Sequence, residues 1–291
     1  MKSKAWTEKF MQGVFFIAAC ASVLAVALIC VFLFANGVPA MKEIGFGKFL
    51  SGEMWKPNNE IFGVLPMIVG SLYVTAGAII VGVPVGILTA VFMAFYCPKQ
   101  IYRPLKTATE LLAGIPSVIY GFFGLVVLVP IIRAIGRNLG FGGNGSSILT
   151  ASLLLGMMIL PTVIGLTESS LRAVPPQYYE GAVALGATHE RAIFRVLIPA
   201  AKSGVIAAVV LGVGRAIGET MAVIMVAGNQ ARMPAGIFKG VRTLTANIVI
   251  EMGYATGLHR EALIATGVVL FVFILIINFC VAALNRRNSH E

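Results

Sequence analysis

The recurrence of apolar runs long enough to cross a bilayer constrains this chain more than any other feature. They cover about Val14–Phe34, Ile68–Tyr96, Thr107–Ile132, Ile148–Leu166, Ser203–Ala227 and Ala262–Leu284. A transmembrane helix needs about 20 such residues, each rising 1.5 Å. In lipid, only a helix or a closed barrel satisfies its own backbone hydrogen bonds. The runs therefore predict an all-α polytopic membrane protein with about six transmembrane helices. They form a single domain over 1–291, with a core at 68–284. Residues 1–67 supply the first span and a polar, Gly/Pro-rich periplasmic loop over 35–67 that contains Trp55 and Pro57. A soluble alternative fails on composition. Only 12% of residues are charged and 58% are hydrophobic, about half the charge of an ordinary soluble domain. The first run follows Lys2, Lys4 and Lys9, as a signal sequence would. It is too long for that and more spans follow, so it reads as an uncleaved anchor.

The net charge of +10 lies mostly between the runs, where cations set topology rather than bind nucleic acid. With the N-terminus placed inside, inner segments hold slightly more Lys and Arg than outer ones. The short 97–106 connection, with Lys99, Arg103, Lys106 and no acid, votes most clearly for that orientation. Every acidic residue is glutamate, which removes paired-aspartate and Walker B chemistry. Cys20, Cys30, Cys97 and Cys280 have neither disulfide nor zinc spacing and read as small apolar residues. His189, His259 and His290 share no metal-ligand spacing, and no nucleophile–base pair stands out. Gly212-Val-Gly214-Arg-Ala-Ile-Gly218 has the wrong spacing for a dinucleotide fingerprint and lies within an apolar helix. There is no P-loop. The chain reads as a non-enzyme without its own cofactor. Small residues inside the runs, including Gly82, Gly86, Gly121, Gly124, Gly204, Gly212, Gly214 and Gly218, read mainly as close helix packing.

Between the fourth and fifth runs lies a polar segment from Glu168 to Pro199 that contains Arg172. Pro175-Pro176 can open a helix. Glu180 would then sit early in it, where the helix dipole favours an anion, and Gly186 would stop it. A second short helix over about 188–197 would end before Pro199. The result is a helix–turn–helix elbow outside the bilayer, with Tyr178, Tyr179, Ala182 and Phe194 offering an apolar face. The spacing Glu180-Gly181-Ala182, three residues, Gly186, then nine residues and Val196-Leu-Ile-Pro199 resembles the EAA loop of binding-protein-dependent ABC importer permeases. It departs from that pattern at Gly181. The resemblance implies that the loop docks on a cytoplasmic ATPase, and that both termini are cytoplasmic.

The fifth run holds Arg215 and Glu219, four residues apart and so on one face of a continuous helix. An unpaired charge at such depth costs at least about 2.5–3.5 kcal/mol. The two side chains therefore form a packing ion pair, or they line a path for an anion. Arginine suits the second role, because its fork matches tetrahedral oxyanions and its charge is permanent. Gly214-Arg-Ala-Ile-Gly-Glu219-Thr-Met-Ala, together with Ile115-Pro116-Ser117-Val-Ile-Tyr120-Gly121-Phe-Phe-Gly124, is similar to the phosphate ABC transporter permeases of the PstC type. Trp55-x-Pro57 and Phe62-Gly63-x-x-Pro66 carry the same likeness. The resemblance implies type I importer architecture in a bacterial inner membrane. It also implies alternating access and a phosphate path through Arg215 and Glu219. Ser117, Tyr120 and Thr220 are further candidates for that path, as hydroxyl donors to the solute or as interhelical hydrogen bonds. Arg133 and Arg137 in an outer loop read as contacts for a binding protein or as solvated cations. The implied partners are a second permease (PstA-like), a dimeric ATPase (PstB-like) holding ATP and Mg2+, and a periplasmic phosphate-binding protein (PstS-like). A permease for molybdate or sulfate has the same fold. A secondary transporter with Glu219 relaying protons is the alternative from another class.

Overall fold

The computed structural model describes residues 2–288, with side chains over 8–279. Cys280, Arg286, Arg287, Lys2 and Lys4 fall outside the described side chains, and His290 outside the described residues. Helix α1 (Lys2–Ile44) runs far past the expected first span and takes in much of the expected loop. It stops where Gly45 adopts φ +93°, a conformation that glycine reaches without a Cβ penalty. A short helix α2 (Phe46–Ser51) follows. A two-stranded antiparallel hairpin of β1 (Trp55–Lys56) and β2 (Ile61–Phe62) follows in turn, so 35–67 is an ordered cap rather than a loop. Trp55 and Phe62 pair across the strands, with ring centroids 5.4 Å apart.

Helix α3 (Leu65–Tyr96) is the second span. The amphipathic α4 (Lys99–Gly114) is separated from α5 (Ser117–Asn138) by Ile115-Pro116. A proline disfavours the helical conformation in the residue before it, and Ile115 is extended at ψ 126°. The third span is thus Ser117–Asn138, not Thr107–Ile132; Thr107–Gly114 belongs to α4. Helix α6 (Ile148–Arg172) is the fourth span and carries Glu168 and Arg172, which the sequence placed in the loop. After it come α7 (Pro176–Ala184), α8 (His189–Ala200) and α9 (Lys202–Gly218), the last two meeting at a 69° bend. Then come α10 (Met221–Val226), α11 (Leu244–Met252) and α12 (Gly257–Asn288). Among the described residues, five helices are long and apolar enough to cross a membrane, or six if the bent α8–α9 pair is one span. The expected fifth span, Ser203–Ala227, is not continuous, because its helix ends at Gly218.

Helix packing follows the small residues. Gly82 and Gly86 of α3 face α6, and a Cβ on Gly82 would stand 2.7 Å from the Gly156 carbonyl oxygen. This is the close approach that a small-xxx-small pair permits. Gly121 and Gly124 of α5 sit as tightly against α10 and α6, and Gly204 and Gly212 of α9 against α6. Gly214 and Gly218 do not fit that reading: a Cβ on either meets nothing within 4 Å. Both lie in the last turns of α9, beside Arg215.

Wider π-turns at Gly124–Leu128 and Ile193–Leu197 each end two residues before a proline inside the same helix, Pro130 and Pro199, and a third at Phe92–Tyr96 closes α3. A proline within a helix lacks a donor and its ring clashes with the carbonyl four residues back. One extra residue in the preceding turn relieves both. Helix α8 therefore continues through Pro199 to Ala200, rather than stopping before the proline.

Candidate functional site

Two helix breaks come together in one place. Tyr120 of α5, Ala216 of α9, and Ala222 and Val223 of α10 share a core cluster, so the gap at Ile115-Pro116 lies beside the gap at Glu219-Thr220. Arg215 occupies the last turn of α9, where the helix dipole favours a cation. It is exposed, and among the described residues it has no hydrogen bond or ion pair. Its guanidinium is near enough to Tyr120 to interact with it electrostatically. Glu219 lies past the helix end with ψ 134°, so the expected i,i+4 face does not exist. Its Oε1 instead accepts from the Ala222 N–H at 3.2 Å, and its carbonyl accepts from the Thr245 hydroxyl at 3.0 Å. A direct Arg215–Glu219 ion pair, one of the two sequence readings, is absent among the described residues.

The neighbouring hydroxyls differ in how far they are committed. Tyr120 is 7% exposed and donates to the Leu112 carbonyl at 2.9 Å, bridging the α4–α5 gap. Thr220 donates to the Gly218 carbonyl at 3.2 Å. Ser117 opens α5 and is half-buried. Arg133 and Arg137 lie in the last turns of α5 rather than in a loop, and Arg133 donates to the Asn144 carbonyl.

The elbow forms as its prolines and glycine predict. Pro175 and Pro176 open α7. Gly186 takes φ +86°. The Gly186 N–H donates to the Val183 carbonyl and the Ala187 N–H to the Ala182 carbonyl, a Schellman stop that requires a left-handed residue. Glu180 falls in the second turn of α7, not the first, so the expected dipole contact is weaker there. No residue of α7 is buried. Gly181, Tyr178 and Phe194 are exposed, Ala182 and Tyr179 half-buried, and Leu185 is 92% exposed. Tyr179 shares a 2.9 Å hydrogen bond with His189 Nδ1, and Tyr96 of α3 meets the same imidazole edge-on. These contacts attach the elbow to the helix bundle.

Sequence reasoning missed two buried carboxylates. At the elbow end, Glu168 of α6 accepts from Tyr102 at 2.6 Å, Lys106 at 2.7 Å and Arg172 at 2.8 Å. Arg172 also donates to the Met93 carbonyl. The hydrogen bond to Glu168 raises the Lys106 pKa above its ordinary value. At the opposite end, Glu251 of α11 accepts from Trp55 Nε1 at 2.8 Å and from Arg242 at 2.5 Å, and pairs with His259 at 2.8 Å. Trp55 is 196 residues away in sequence. The available signals were the cost of leaving a glutamate unpaired in an apolar helix and, for Glu168, the i,i+4 spacing to Arg172.

A family model described as "Binding-protein-dependent transport system inner membrane component" matches residues 82–290. The "Phosphate transport system permease protein PstC" of Mesorhizobium japonicum is 38% identical over 89% of this chain and 82% of its own length. The protein of that name from Haemophilus influenzae is 33% identical over 93% of this chain and 90% of its own length. A "Probable ABC transporter permease protein YqgH" of Bacillus subtilis is 38% identical over 92% of this chain and 90% of its own. Among solved structures, an inward-facing MetNI methionine ABC transporter chain superposes with a TM-score of 0.61 at 20% identity, covering 81% of this chain and 99% of that one. A bacterial alginate importer chain gives 0.59 at 16% identity, covering 94% and 96%.

Proposed function

The chain belongs to the family of binding-protein-dependent transport system inner membrane components, and from that premise we propose that it is the PstC-type permease of an ATP-driven importer of inorganic phosphate. The observation that carries the reading is Arg215: a permanent cation, exposed and with no hydrogen bond or ion pair among the described residues, at a break between helices. A guanidinium left open in this way offers its fork to an oxyanion. The identity to phosphate permeases names phosphate as that oxyanion. Glu219 and Thr220 lie at the same break, Ser117 lies at the adjacent α4–α5 break, and Tyr120 ties the two sides of the latter together.

Coupling follows the chain itself. The exposed elbow residues Glu180, Gly181 and Ala182, with Gly186 as the turn, dock on the partner ATPase, which holds ATP and Mg2+. From there the backbone runs through α8 and its 69° bend into α9. That helix places Arg215 about 20 Å beyond the bend at 1.5 Å per residue. A tilt of the elbow thus moves the arginine directly, as alternating access requires. In this reading α7 and both termini face the cytoplasm and the hairpin faces the periplasm. The partners are a second permease (PstA-like), a dimeric ATPase (PstB-like) and a periplasmic phosphate-binding protein (PstS-like).

The test is radiolabelled phosphate uptake in cells lacking the chain. Uptake should fall and return on complementation. Normal phosphate uptake with loss of molybdate or sulfate uptake would assign the other oxyanion instead. Uptake into proteoliposomes that needs no ATP would refute the importer mechanism.

A further inference from the structure

A second group of cations lies at the elbow end of the bundle, away from Arg215. A cavity of about 790 Å3 opens between the end of α3 and the start of α4, and Lys99, Gln100, Tyr102, Arg103 and Arg172 line it over a floor that includes Phe95. Three cations line it and no carboxylate does. Lys99 and Arg103 are exposed, and neither has a hydrogen bond or ion pair among the described residues. Arg172 is held in place by Glu168 and the Met93 carbonyl, with its guanidinium 4.7 Å from the centre of the Tyr102 ring. Its side chain is still 46% exposed. The cavity thus has a fixed guanidinium at its wall and two free cations at its rim.

Its position identifies the ligand's form. The span α3 ends at Tyr96, so the cavity sits where the hydrocarbon layer gives way to headgroups. Leading to it along α3 are Val85, Leu88 and Phe92, all exposed and spaced to fall on one face. A free anion has no use for such a stripe, whereas acyl chains do. Basic pockets between transmembrane helices receive phosphate headgroups. We propose that this cavity binds the phosphate-bearing headgroup of an anionic phospholipid in the leaflet on the α7 side, with its chains lying along α3. The inference requires only that the chain spans a membrane, and it stands or falls separately from the phosphate-import reading.

The test uses the full-length chain in nanodiscs of phosphatidylcholine containing phosphatidylglycerol, with retained lipids counted by native mass spectrometry. Wild type should retain phosphatidylglycerol preferentially. Lys99→Ala/Arg103→Ala should lower that preference about 25-fold, at about fivefold for each cation near the surface. Both side chains are exposed and unpartnered, so the variant folds normally. Arg195→Ala, which removes an exposed cation of α8 at the same end, should leave the preference unchanged. Added inorganic phosphate should not displace the lipid. An unchanged preference in the double variant, or an equal loss in Arg195→Ala, would overturn the proposal. Displacement by inorganic phosphate would make the cavity a free-anion site and overturn the lipid assignment.

Discussion

Arg215→Gln separates the two readings of this arginine, because they predict losses of stability that differ severalfold. Had Arg215 and Glu219 formed a buried ion pair, removing one partner would cost about 3–5 kcal/mol of folding free energy. In the structure the guanidinium is exposed and Glu219 is turned toward the Ala222 N–H. The fold then loses only the favourable contact of a cation with the helix C-terminus, about 0.3–1 kcal/mol. Transport loses much more. A charge-assisted hydrogen bond to phosphate is worth about 1.5–3 kcal/mol, which corresponds to roughly 10- to 150-fold in uptake rate. Arg215→Lys keeps the charge without the fork and should fall between the two. The assay is the initial rate of radiolabelled phosphate uptake in cells lacking the native chain, normalised to the amount of variant in the membrane. It is run alongside thermal unfolding of the purified protein. Uptake within twofold of wild type would remove Arg215 from the anion path. Destabilisation of 3 kcal/mol or more would show that the arginine holds the fold and that its open position is misread.

Gly186→Val forces a β-branched side chain into a left-handed position at φ +86°, at a cost of about 1–2 kcal/mol or more. The variant should insert normally yet lose transport-linked ATP hydrolysis in the purified complex; full coupling would refute the docking role of the elbow. Glu168→Gln leaves Lys106 and Arg172, both partly exposed, without their carboxylate and should lower stability by about 1–3 kcal/mol, the worth of a charged hydrogen bond reduced by solvent screening, read as a lowered unfolding midpoint in detergent. An unshifted midpoint would mean that this cluster does not hold α4 on α6. Ala187→Cys should react with an impermeant thiol reagent only from the cytoplasmic side, and periplasmic labelling would invert the proposed topology.

The architecture was legible in the sequence to the extent that hydropathy could carry it. A window of about 20 residues finds spans but averages across a two-residue gap. It therefore joined α9 to α10 across Glu219-Thr220 and extended the third span back to Thr107. Local chemistry did better where one residue type has a narrow meaning. Pro175-Pro176 and Gly186 bounded α7 correctly, because few residues tolerate those backbone positions. Pro199 misled for the opposite reason: a proline can be absorbed by a π-turn, and whether it is depends on packing that a single sequence does not display. The partners that tie Glu168 and Glu251 to other parts of the chain, Lys106, Tyr102 and Trp55, lie 62 to 196 residues away and form no local pattern, and the nearby partner Arg172 was placed with Glu168 in a loop.

Those buried carboxylates also show how to read Arg215. In sequence, every charge in an apolar helix looks alike: it must be paired, solvated or in use. Pairing is visible only in three dimensions. Glu168 is buried and accepts from three donors on α4 and α6; Glu251 is buried and held by Arg242, His259 and Trp55. Each joins elements distant in sequence, and each explains its own retention by what it holds together. Arg215 holds nothing. It sits between Gly214 and Gly218, which pack against nothing, on the side of α9 that turns away from its own bundle. A cation that is exposed and unpaired within its own chain is free to pair with a group from outside it. On the reading proposed above, that partner is the transported anion.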